Sequence, residues 1–258
     1  MSARILPLTG VENFRDYGDY PTRSGGRVAP GRLYRSAHHG KATPQDLEAI
    51  GALDLAAVVD LRRPLERDNE PTPRPQGFKG QVIECDLGDR AEAPHIAFLR
   101  DTDLTADSAN AFFMDYYANA PFEERHLELF RRYFAALGEV EGPVLIHCTA
   151  GKDRTGLLAA LTHHVLGVHP DDIAADYLLT NQAARLEERA PTVAEGLEKM
   201  LGKRPSDVAV RAFLGVDPAY LDAAFAAIAA RRGSTEAYLA DLGVDAQAAE
   251  RLRARLIA

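Results

Sequence analysis

Only two of the 258 residues are cysteine, Cys85 and Cys148, which leaves no disulfide framework to hold a small, core-poor fold together. No stretch approaches the roughly 18 unbroken apolar residues of a spanning helix. Residues 157–168 come nearest, but the run is short and carries His163 and His164. The opening ten residues hold neither a long apolar run nor a small-residue cleavage pattern, so no secretory signal is expected. These absences predict a cytoplasmic protein in a reducing compartment, without stable membrane insertion. An excess of positive charge is missing too. A formal net charge of -8 repels nucleic acid, so an anionic substrate must be drawn in by a local positive site rather than by the overall field.

What is present is an ordinary globular composition, 46% hydrophobic and 26% charged, at a length where single cores stop growing. One domain over residues 1–258 is expected. Four short β-rich runs stand out, at residues 32–35, 57–61, 81–85 and 143–147. Helical patterns lie between them, one opening at Thr43-Pro44 as cap and first-turn proline, and a pair over 108–138 broken at Pro121. The alternation predicts an α/β fold with a central, mainly parallel sheet of about four strands flanked by helices. Residues 69–80, rich in proline and glycine, read as an irregular surface loop. Beyond residue 156 the chain reads as about five helices, with breaks near Gly167, Pro191, residues 202–205, residues 215–218, Gly233 and Gly243. Residues 190–258 then form a helical C-terminal extension, close-packed rather than a covering lid on its alanine- and leucine-rich pattern alone.

The chemistry concentrates where an apolar strand ends at His147. Cys148 follows, then five residues to Arg154, then a helix-forming segment from Thr155-Gly156 onward. Strand, tight turn and helix N-terminus make an anion-binding arrangement, because the inward amides from Thr149 to Arg154 and the helix dipole all favour negative charge; Thr149, Ala150, Gly151, Lys152, Thr155 and Gly156 are the expected phosphate-binding residues. The same field lowers a cysteine pKa from about 8.5 into the range of about 3.5 to 7.5. Cys148 is therefore expected as a thiolate nucleophile that attacks phosphorus and forms a phosphocysteine intermediate. Arg154 offers a planar fork to the equatorial phosphoryl oxygens, a hold that improves in the flattened transition state. The Thr155 hydroxyl is placed to ease departure of the sulfur, and His147 is expected to fix the loop rather than transfer protons. Two carboxyl groups compete for the role of proton donor to the leaving group: Asp153 within the loop, and Asp60 at the carboxyl end of a strand.

The run His147-Cys148-Thr149-Ala150-Gly151-Lys152-Asp153-Arg154-Thr155-Gly156 resembles the signature of the bacterial tyrosine-phosphatase family that also acts on phosphoinositides, within the cysteine-phosphatase superfamily. Residues 13–18, 31–36 and 58–62 look like its N-terminal blocks, and the tail around Tyr220 and Gly233-Ser234 like its helical end. The resemblance implies a metal-free, cofactor-free mechanism with the general acid at Asp153 in the signature itself. It also implies that Lys152 meets further phosphates of an inositol ring, and that a helical lid, where present, lies between about residues 190 and 232. Phosphorylated protein or phosphoinositide would be the substrate, and phosphate or vanadate would bind the loop. Two other readings stay open: a non-catalytic phosphate-recognition module, and an arsenate-reductase or sulfurtransferase-like thiol enzyme. The second needs partner thiols, and Cys85, in a strand-like run, reads as a buried inert thiol. The adjacent pairs His38-His39 and His163-His164 lack the spacing of a metal site. Arg62-Arg63 can meet an acidic substrate unless Glu66, Asp68 or Glu70 neutralises the pair.

Overall fold

A computed structural model describes residues 4–87 and 93–258; residues 1–3, the start of the segment read for a signal, lie outside them. The first half carries β1 (Arg15–Asp16), β2 (Leu33–Ser36), α1 (Pro44–Gly51), β3 (Ala57–Asp60), α2 (Pro64–Asn69), β4 (Gln81–Ile83), α3 (Pro94–Asp101), α4 (Ala106–Asn119), α5 (Glu124–Glu139) and β5 (Val144–His147). The second half is helical: α6 (Asp153–Leu166), α7 (Pro170–Leu178), α8 (Thr180–Ala183), α9 (Leu186–Leu201), α10 (Asp207–Leu214), α11 (Pro218–Arg232), α12 (Thr235–Asp241) and α13 (Ala246–Leu256).

The sheet order is β1-β2-β5-β3-β4, with β2, β5, β3 and β4 parallel and β1 antiparallel to β2. The four expected strands are present, and β1 is an addition too short to show a hydrophobic period. Ser36 and Asp60 both pair in register with His147 of central β5. The carboxyl ends of three neighbouring strands are thus level, and Cys148 leaves the sheet from the middle one. Alternation splits the sheet's faces between two cores. Leu33, Val59 and Ile146 pack with α5 and α6, whereas Tyr34, Val58 and Leu145 pack with Ile50 of α1. Helix α6 is buried on nearly every side, as expected for apolar residues all round its axis.

The C-terminal half departs from the expected division. Eight helices follow the loop rather than about five, and Pro191 lies inside α9 instead of ending it. That proline forfeits one early hydrogen bond, while Ala190, Ala194 and Leu197 bury the same helix in a separate apolar cluster with α3, α4 and α10. The unforeseen break before α9 is made by Arg185 at φ 49, a left-handed turn without glycine. Among the described residues no single helix is long and apolar enough to cross a membrane; α10 and α11 reach that length only as a pair bent by 44°.

One buried ion cluster joins the two halves. Asp176 of α7 accepts from Arg15 Nε at 3.3 Å and Arg35 Nη1 at 2.7 Å, and Arg15 also reaches the Asp176 carbonyl and Thr180. Burial opposes the Asp176 charge, but the two guanidinium groups outweigh it and bring its pKa down to about 2. Because this folded value lies below the ordinary 3.8, the contribution is present above about 4 and is lost as pH falls towards 2. Replacing Asp176 by Asn strands two buried cations and should cost ~3–5 kcal/mol in urea unfolding at neutral pH. The same variant should flatten the stability decline between pH 4 and 2 that the native protein shows.

Candidate active site

The loop after β5 is defined by where its carbonyls go. His147 O accepts from Leu61 N at 2.8 Å, Thr149 O from His38 N at 3.1 Å, and Lys152 O from Gly156 N at 2.9 Å. The His147 Nδ1–H lies 3.4 Å from Cys148 O. Asn13 Nδ2 donates to Ala150 O at 3.2 Å and Gly151 O at 2.8 Å, and Arg35 Nη2 also donates to Gly151 O, at 3.0 Å. The Asn13 amide is oriented by Arg15, which donates to its oxygen. With every carbonyl from His147 to Lys152 held by a donor, the amides of Thr149 to Arg154 find no acceptor among the described residues and are left open to an anion. Gly151 makes the turn possible: its φ is 65°, and a Cβ there would lie 2.4 Å from the backbone of Ser36.

Arg154 has five N–H donors, and the protein uses three firmly. Both terminal nitrogens bond Glu66 of α2, at 2.6 and 2.7 Å, and Nη1 also reaches Leu61 O at 3.2 Å. Nε and the second N–H of Nη2 remain, and together they form the adjacent parallel edge that a phosphoryl group requires. Only a long 3.3 Å contact to Thr149 Oγ1 touches that edge. Glu66 is itself braced by Arg63 N at 2.8 Å and by the Thr149 hydroxyl. Burial would push the Glu66 carboxyl up, but the Arg154 guanidinium outweighs it and holds the group well below the usual range.

Above the loop lies a cavity of about 160 Å³. Cys148, Thr149, Ala150, Lys152, Asp153 and Arg154 form its floor, and Phe112, Phe113 and Tyr116 of α4 and Phe213 of α10 its apolar walls. Arg63 and Arg189 also line it, paired with Glu123 and Glu12 respectively. A loop of open backbone donors beside aromatic walls suits a phosphate carried on an apolar group.

The model of the tyrosine phosphatase family matches residues 6–258. The chain belongs to the tyrosine phosphatase family. Among its relatives, a Cupriavidus necator protein assigned as a tyrosine-protein phosphatase is 36% identical over 92% of this chain and 83% of its own. The triple specificity protein phosphatase PtpB of Mycobacterium tuberculosis is 32% identical, with both chains fully covered. A tyrosine-protein phosphatase of Nostoc commune is 28% identical over 86% of this chain and 73% of its own. Among solved structures, TpbA of P. aeruginosa matches 67% of this chain at 20% identity with a TM-score of 0.32, a superposition too loose to argue from.

For a tyrosine phosphatase, the expected site residues separate into those at the cavity and those behind it. Asp153 is at the cavity, its Oδ1 accepting from the Tyr117 hydroxyl at 3.0 Å and lying 3.7 Å from Lys152 Nζ. Asp60 is not. Burial opposes its ionisation, but the His147 ring and hydrogen bonds from Arg62 Nε, Nη2 and N hold it as carboxylate, far below the usual range. The arginine bonds carry this at neutral pH, since burial brings His147 down to about 4. A carboxylate so held has no proton to give, which corrects its candidacy as acid. His147 stacks on His39 at 5.3 Å and supports the loop from below. Thr155 and Gly156 are likewise set back from the cavity; Thr155 Oγ1 is buried without a hydrogen-bond partner among the described residues, and Gly156 leaves room for the Tyr177 ring.

Lys152 differs most from expectation. It turns inward, donating to Phe213 O at 2.8 Å with Nζ 4.0 Å over the Phe113 ring, and burial lowers its pKa below the ordinary value. Of the Arg62-Arg63 pair, only Arg63 reaches the cavity. Cys85 is buried, and His163 and His164 bond Tyr17 O and Glu236 respectively. Sequence reasoning missed Glu66, Asn13, Arg35 and Tyr117 as parts of the site, because each is remote in sequence from the loop. Replacing Glu66 by Gln removes the charge that orients the Arg154 fork. The expected result is a fall of about tenfold or more in kcat/KM on p-nitrophenyl phosphate, equivalent to about 1.4 kcal/mol, with weaker inhibition by vanadate.

Proposed function

We propose that this protein hydrolyses phosphomonoesters as a protein-tyrosine phosphatase, through a phosphocysteine intermediate. The observation that carries the reading is the run of free amides in the loop of Cys148, beside an Nε and Nη2 edge of Arg154 that only the 3.3 Å contact to Thr149 Oγ1 touches. The Cys148 thiolate attacks phosphorus in line, the bond from phosphorus to the ester oxygen breaks, and that oxygen takes the proton of Asp153. Water then attacks the phosphocysteine, its proton passes to the Asp153 carboxylate, and the thiolate departs. The Thr155 hydroxyl, buried without a hydrogen-bond partner among the described residues, is read as the donor that eases departure of the sulfur.

Phosphotyrosine is the favoured substrate because Phe112, Phe113, Tyr116 and Phe213 offer apolar walls to an aryl ring beside the loop. The same loop accepts the dianion of phosphoserine, phosphothreonine or a phosphoinositide. For an inositol headgroup, Arg63 and Arg189 are the cations at the cavity, with Lys152 turned to Phe213. Residues 1–258 are read as one domain acting in the cytoplasm, with α10 as the part of the helical extension that covers the cleft. We assay p-nitrophenyl phosphate with chelator and reductant present, comparing the native protein with Cys148→Ser. Turnover by the native protein and none by the variant supports the cysteine mechanism. A folded native protein that binds vanadate but turns nothing over returns the reading to a phosphate-recognition module.

A further inference from the structure

A chain of buried hydroxyls runs into the site from the side opposite Glu66. Tyr177 of α7 donates to the Tyr117 oxygen at 2.6 Å, and Tyr117 of α4 donates to Asp153 Oδ1 at 3.0 Å. The direction is settled by its end, since a carboxylate only accepts. Both tyrosines are about 1% exposed, and the ring of Tyr177 lies so close to Gly156 that a Cβ there would meet it at 2.9 Å. The last glycine of the signature is therefore the space through which Tyr177 reaches Tyr117. Packing alone would be served by phenylalanine at both positions.

Asp153 Oδ1 is occupied by Tyr117 and faces Lys152, whereas Oδ2 makes no hydrogen bond among the described residues. A proton on this carboxyl group is thereby directed to Oδ2. We propose that Tyr117, backed by Tyr177, is a positioning residue for catalysis that selects Oδ2 of Asp153 as the oxygen that delivers the proton to the leaving group. This rests on the reading of Asp153 as the general acid. Burial, with Asp153 and Tyr177 as neighbours, holds the Tyr117 hydroxyl well above its ordinary pKa, so it stays a donor throughout the working range. The other titratable groups around Asp153 are Lys152 and Arg154 beside it, Cys148 in the same loop, His95 on α3, Tyr116 on α4 and Tyr220 on α11. Each of these remains in place when the Tyr117 oxygen is removed.

The sign of the effect follows from what the bond stabilises. A hydroxyl donating to a carboxylate favours the charged form, so losing that bond should move the alkaline limb of the rate to higher pH. The test compares kcat across pH for p-nitrophenyl phosphate and for phenyl phosphate, whose leaving oxygen is far more basic, in native, Asp153→Asn, Tyr117→Phe and Tyr133→Phe proteins. Tyr133→Phe is the control, because it breaks another buried hydroxyl chain, from Tyr17 through Tyr133 to Thr162, that does not touch Asp153.

Asp153→Asn should lose about 100-fold or more on phenyl phosphate and much less on p-nitrophenyl phosphate. If it loses equally on both, the acid reading fails and this inference falls with it. With that reading upheld, Tyr117→Phe should lose about tenfold on phenyl phosphate and under about threefold on p-nitrophenyl phosphate. Its alkaline limb should also move to higher pH, while that of Tyr133→Phe stays in place. An equal loss on both substrates, or an unmoved limb, overturns the positioning role. Should Tyr117→Phe fail to fold, Tyr177→Phe keeps the Tyr117 hydroxyl but removes its donor. That variant should displace the limb in the same direction by a smaller amount, and an unmoved limb there overturns the proposal.

Discussion

An anion-binding loop must leave its amides without protein partners, and an unpaired buried amide is costly. The protein meets this constraint from the opposite side of the peptide units. Every carbonyl from His147 to Lys152 is bonded, so the peptide planes are turned and the amides have one direction left. Donors come from Asn13, Arg35, His38 and Leu61, segments far apart in the chain that the parallel sheet gathers at one edge. Arg35 is in turn fixed by Asp176, which is why a helix beyond the loop matters to the loop's shape. In this cluster two guanidinium groups face one carboxylate, leaving positive charge immediately behind a site for a dianion.

Charge within the cavity is arranged by the same economy of partners. A guanidinium satisfied on three donors and open on two is stiffer than a free one, and it loses less side-chain entropy when phosphate arrives. Glu66 can sit beside a phosphate site because its carboxylate is used up by Arg154, Thr149 and the Arg63 amide. A lysine at position 154 has no second edge to present. This is a physical reason for arginine that holds without reference to any relative.

How much of this was legible follows from how local each signal is. The loop was readable because cysteine, glycine, arginine and the helix start are contiguous, and the parallel strands because their apolar runs are short and bounded. The groups that orient the loop were not, since Asn13 before β1 and Asp176 on α7 reach the loop only through tertiary packing, which no local period encodes. Asp60 misled for a related reason. Its position at a strand's carboxyl end was read correctly, but the Arg62 side chain two residues on folds back over it and removes its proton. Pro191 misled because burial of three apolar side chains on one face offsets a single lost hydrogen bond. Between Leu178 and Leu186 the chain turns at an arginine in the left-handed region, where composition offers no mark.

Lys152 joins the loop to the helices packed over it. Its ammonium caps the carbonyl of Phe213 in the last turn of α10, where the helix dipole favours a cation, and it rests on the Phe113 ring of α4. Buried this way it satisfies an end of α10 that would otherwise carry an orphan carbonyl. The same residue belongs to the loop that surrounds Cys148 and lies beside Asp153. The helices over the cleft and the floor beneath it therefore share one cation.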